Sequence, residues 1–122
     1  MKRFAAAVAL VAGIALLSAC SSGPDVEPTG HTTTVTVTVE GMSFSPSTIE
    51  VPVGDELVVE FENTGMEIHD IAFDGGPTSE RLNVGESETI DVGVVGEDTD
   101  FWCTVSGHRA HGMEGQIVVT GG

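Results

Sequence analysis

Cys103, His108 and Met113 recur at five-residue intervals in the stretch Phe101-Trp102-Cys103-Thr104-Val105-Ser106-Gly107-His108-Arg109-Ala110-His111-Gly112-Met113, so one short segment carries a thiol, an imidazole and a thioether. A second imidazole, His69, lies upstream at the start of the run Ile68 to Phe73. Thiolate and thioether favour Cu(I), and imidazole suits both oxidation states. Two imidazoles and a thiolate in a plane, with a weak axial thioether, form a set on which a copper ion can gain and lose one electron with little rearrangement. The same segment offers another arrangement. His111 competes with His108 as an alternative ligand, and His69, Cys103, His108 and His111 together would close a zinc site and leave Met113 merely packed.

Such donors need strands to hold them. Val35, Val37 and Val39 alternate with Thr34, Thr36 and Thr38, the period of a strand with one buried face. Ile49-Glu50-Val51-Pro52-Val53 reads as a short strand whose proline suits a sheet edge, followed by a turn at Gly54-Asp55. Leu57, Val59 and Phe61 predict a buried face set against Glu56, Val58, Glu60 and Glu62. Further strands are predicted over Ile68 to Phe73, Glu88 to Val92, Thr99 to Val105 and Gln116 to Thr120, with turn-rich stretches such as Asp74-Gly75-Gly76-Pro77 between them. No segment has a helical period longer than about two turns. About seven strands at this spacing indicate an all-β sandwich or barrel. Phe44, Phe61, Phe73 and Phe101 are expected in the core, as are Met42 and Met66. Trp102 alternates with Cys103 and is expected to pack on the opposite face.

Two ordered partial motifs make the reading specific. Phe44-x-Pro46-x-x-Ile49-x-Val51-x-x-Gly54-Asp55-x-Leu57, followed by Asn63-x-Gly65 and His69-Asp70, and then Cys103-x4-His108-x4-Met113 with Gly115, resemble the small cupredoxins of the plastocyanin, azurin, auracyanin and halocyanin kind. The match spans roughly Val35 to Thr120. The resemblance implies a Greek-key β-sandwich of seven to eight strands, with His69, Cys103, His108 and Met113 as ligands of one copper ion. It also implies a largely preformed site and single-electron transfer. Asp70 departs from the family, which often carries Asn there to tie the ligand loops together. Its carboxylate is expected to accept bonds from Thr104 and to lower the copper potential. His111 departs too, because related loops tend to carry a small apolar residue.

The N-terminus speaks for export. Met1-Lys2-Arg3 is followed by an apolar run from Phe4 to Leu17 and by Leu17-Ser18-Ala19-Cys20, a secretory signal over residues 1–19. The closing tetrapeptide resembles a lipobox and implies a lipidated Cys20, with two acyl chains to hold the protein on the outer face of a membrane. Residues 20–31 read as a flexible tether and 32–122 as the copper domain. With Cys20 at the lipid, Cys103 has no partner for an internal disulfide.

The formal charge of −15 becomes two units more negative once Lys2 and Arg3 leave with the signal. This surface argues against nucleic acid. It would either draw in redox partners with a basic docking patch, in a salt-dependent way, or serve only to keep the protein soluble in salty surroundings. A monomer is expected. Catalysis is not, because a saturated copper offers no open position for a substrate. The alternative function is copper buffering, delivery or scavenging without redox turnover.

Overall fold

The computed structural model describes residues 26–121; the expected signal over residues 1–19 and the expected lipidation site Cys20 lie outside them. Eight strands follow in order: β1 Thr32–Glu40, β2 Ser43–Ser45, β3 Thr48–Pro52, β4 Glu56–Glu62, β5 Ala72–Phe73, β6 Ser87–Val94, β7 Thr99–Trp102 and β8 Glu114–Thr120. One four-stranded sheet has the order β2-β1-β4-β6 and the other β3-β8-β7-β5. β1 runs parallel to β4, and β3 parallel to β8, so the chain passes between the sheets rather than closing each in turn. This is the all-β sandwich that the alternation predicts, with Pro52 on the edge strand β3.

The two inner faces supply the core. Val37, Val39, Leu57, Val59, Phe61 and Ile90 from one sheet meet Ile49, Val51, Phe101 and Ile117 from the other, all buried. Each such side chain contributes roughly 1.5–3 kcal/mol by leaving water. Phe44 bridges the layers, its ring centroid 6.0 Å from Phe61 and 5.4 Å from Phe101, and Phe73 continues the row 5.7 Å from Phe101.

Four features differ from the sequence reading. The strand expected over Ile68 to Phe73 shrinks to Ala72–Phe73, because residues 69–73 are buried without alternation and pair with residues 78–82 only through isolated bridges. The strand expected to reach Val105 ends at Trp102. There the Cys103 N–H still reaches Met113 O, but the Thr104 N–H is taken by the Asp70 carboxylate and the ladder goes no further. Ser43–Ser45 forms an additional short strand against Thr38–Glu40. Met66 is not a core residue: it is 91% exposed, while Met42 packs against the core.

One end of the sandwich is fastened by the stretch leading into β1. Thr29 N–H donates to Gly54 O at 3.0 Å, and the hydroxyls of Thr29 and Thr33 donate to the Asp55 carboxylate at 2.6 and 2.8 Å. Those two bonds hold the Asp55 carboxyl below its ordinary range. β4 starts beside this clamp and ends at Glu62, one residue before Asn63, on which the first ligand loop is built.

Candidate metal centre

Three loops at that far end bring the donors together. The first is built on Asn63, whose buried amide donates to the carbonyls of Glu67 and Leu82, both at 2.8 Å, and accepts from Gly65 N–H at 3.1 Å. A side chain on Gly65 would strike Val39 and the His69 ring, with a Cβ only 3.1 Å from His69 Nε2. Glycine therefore lets the loop close over the imidazole. His69 is pinned by reciprocal backbone bonds with Leu82, at 3.2 and 2.9 Å. The second loop runs from Cys103 to Met113 around a 3-10 turn, Arg109–His111. Met113 closes it twice: its carbonyl accepts from Cys103 N–H and its N–H donates to His108 O, both at 3.1 Å. The third loop, residues 79–82, backs the first, with Ser79 N–H donating to Ile71 O and Ser79 Oγ accepting from Ile71 N–H.

The result is a buried cluster. His69 and Cys103 are each 1% exposed, His108 6% and Met113 0%. Cys103 Sγ lies 3.5 Å from His108 Nδ1 and 4.0 Å from His69 Nδ1, and the three ligand atoms all lie within 4.8 Å of one another. A first-row ion at about 2.3 Å from sulfur and about 2.0 Å from nitrogen would hold each S···N pair roughly 3.6–3.8 Å apart. The observed separations bracket that span, so these residues fit one metal ion without rebuilding. Thiolate and two imidazoles, with a buried methionine tied through its backbone to Cys103 and His108, are the donor chemistry of copper.

Burial sets the electrostatics. It pushes the Cys103 thiol above its ordinary range, partly offset by backbone hydrogen bonds from Asp70 and Val105. Burial, and then the neighbouring His108, push the His69 imidazole below its ordinary range. His108 turns Nδ1 to the sulfur and Nε2 to the Glu67 carboxylate, 3.4 Å away. A proton on Nε2 leaves the Nδ1 lone pair for a metal.

The remaining predicted residues are placed as follows. Asp70, 2% exposed, accepts the Thr104 N–H at 2.6 Å and a short bond from the Thr104 hydroxyl, which joins the His69 loop to the Cys103 loop. His111 is exposed on the 3-10 turn and stands outside the cluster, so the structure does not assemble the four-ligand zinc arrangement. Trp102 is half-buried beneath the Arg109 guanidinium, 4.3 Å from its ring centroid. Sequence reasoning missed Glu67 and Arg81, the latter 3.5 Å from the Asp70 carboxylate. Each meets its partner through tertiary pairing, and no local motif announces that.

The family model described as a cupredoxin-like domain matches residues 7–119. The chain belongs to the cupredoxin-like family. Among solved structures, this cupredoxin resembles auracyanin from Roseiflexus castenholzii at 24% identity and a TM-score of 0.65, covering 75% of this chain and all of that one. A mutant fern plastocyanin is similar at 26% identity and a TM-score of 0.53, covering 70% and 99%. The laccase of Botrytis aclada shares the fold at 21% identity and a TM-score of 0.65, but the match covers 80% of this cupredoxin and only 24% of the laccase. No curated protein matches the sequence. Family, fold and donors agree on a cupredoxin that holds a single copper ion.

Proposed function

We propose that this cupredoxin is an exported, lipid-anchored carrier that receives and releases single electrons at one copper ion. The observation that carries the reading is the preassembled triad of Cys103 Sγ, His69 Nδ1 and His108 Nδ1, buried in a sandwich whose backbone already fixes each ligand. Copper bound there would cycle between Cu(II) and Cu(I). The chain's part is to hold the donors still: Asn63 and Leu82 fix His69, Glu67 orients His108, and Met113 closes the Cys103 loop through its backbone. His69, Cys103, His108 and Met113 would fill the coordination shell, which supports a carrier over an enzyme despite the laccase fold. The lipobox-like Leu17-Ser18-Ala19-Cys20 supports anchoring, and the acidic, lysine-poor surface supports a partner with a basic patch.

A second reading, copper buffering or delivery, draws on Met66 and His111, two exposed donors on the ligand-bearing loops. Stopped-flow mixing of the copper-loaded protein with a one-electron ruthenium reductant, beside a copper-transfer assay to a strong chelator, separates the two. A carrier is expected to turn over rapidly and reversibly while keeping its copper. Slow electron exchange with ready loss of copper to the chelator would support delivery and overturn the carrier.

A further inference from the structure

Only two cationic side chains remain beyond the signal, Arg81 and Arg109, in a chain with 19 carboxylates. One of them stands directly behind the copper ligands. Residues 69–71 pair with 79–82: His69 and Leu82 exchange backbone bonds at one end, and Ser79 N–H donates to Ile71 O at the other. This register puts Arg81 beside Asp70. Its Nε lies 3.5 Å from Asp70 Oδ2, and its Nη2 lies 3.4 Å from both the carbonyl and the hydroxyl of Thr104. Asp70 follows His69 and Thr104 follows Cys103, so Arg81 touches the neighbours of two ligands at once.

We propose that Arg81 is a positioning and tuning residue for the copper: it offsets the Asp70 carboxylate, holds the two ligand loops together, and so raises the reduction potential above what Asp70 alone would set. The proposal rests on the copper reading above. A carboxylate this near the ion favours the more highly charged Cu(II), and a fixed cation beside it opposes that preference. Position matters because Arg81 is 57% exposed. Without Asp70 to hold it, its charge swings into solvent and is screened.

The test is redox titration of the copper-loaded protein against the ferricyanide/ferrocyanide couple, with apo-protein unfolding in urea as a second readout. R81Q is expected to shift the Cu(II)/Cu(I) ratio at fixed poise about three- to tenfold toward Cu(II), tenfold being about 59 mV for one electron. It is also expected to lower the apo midpoint. D70N should shift the ratio toward Cu(I), and R81Q added to D70N should then do much less than R81Q alone. R81K, which keeps the charge, should stay near the parent. Equal effects of R81Q with and without Asp70, or no effect, would overturn the proposal while the blue absorption of each variant left the copper reading standing. R81K behaving like R81Q would overturn it as well, and a parent protein without blue absorption would overturn both readings.

Discussion

At the scale of single residues, burial holds Cys103 as a neutral thiol and His69 as a neutral imidazole in the same small volume. A metal requires the thiolate, so copper uptake must expel the Cys103 proton, whereas His69 arrives without one. Because the thiol sits above its ordinary range, that proton is still present at neutral pH, and copper affinity is expected to rise about tenfold per pH unit until the thiol ionises. Calorimetry in two buffers of different ionisation enthalpy checks this: the parent should release about one proton more per copper than Cys103→Ser. Equal release would contradict the assignment. The donors themselves were legible because their chemistry is scarce, with a single thiol left after Cys20 and two imidazoles and a thioether at ordered spacing. Arg81 and Glu67 were not, since an arginine 11 positions from Asp70 and a glutamate before His69 have partners only once the loops are folded.

At the scale of elements, alternation in β1, β3 and β4 revealed the buried faces, because a period of two survives wherever one face meets the core. It failed where the chain leaves a ladder to build the site. Residues 69–73 are buried on every side, and just past the end of β7 at Trp102 the Asp70 carboxylate claims the Thr104 N–H, so both predicted strands overran. Gly115 shows how closely β8 lies against its neighbour β7, which leads into the ligand loop, and against the turn at Ser47. A Cβ there would overlap Ser47 O and the Phe101 ring, two groups that cannot both move away. Gly115→Ala is therefore expected to cost about 1–3 kcal/mol by overpacking. A urea midpoint unchanged from the parent would show that β8 can shift freely and that the packing is looser than described.

Across the whole molecule, the clamp of Thr29 and Thr33 on Asp55 sits at the start of β4 and the copper ligands lie beyond its end, roughly 23 Å away along seven extended residues. If the proposed lipid anchor holds the N-terminal end, the copper edge would lie at the end of the domain remote from the clamp, open to the proposed redox partners. The acidic surface would add long-range attraction for a basic partner, weakened by salt. All of this depends on four side chains converging on one ion within a sandwich already folded to receive it. The most direct measurement is addition of one equivalent of Cu(II) to the purified apo protein, followed by visible absorption and EPR alongside far-UV circular dichroism. An intense thiolate-to-copper band, absent in Cys103→Ser and appearing without change in the β-sheet spectrum, is the expected result; a colourless oxidised protein, or a band that survives loss of the thiol, would contradict the account.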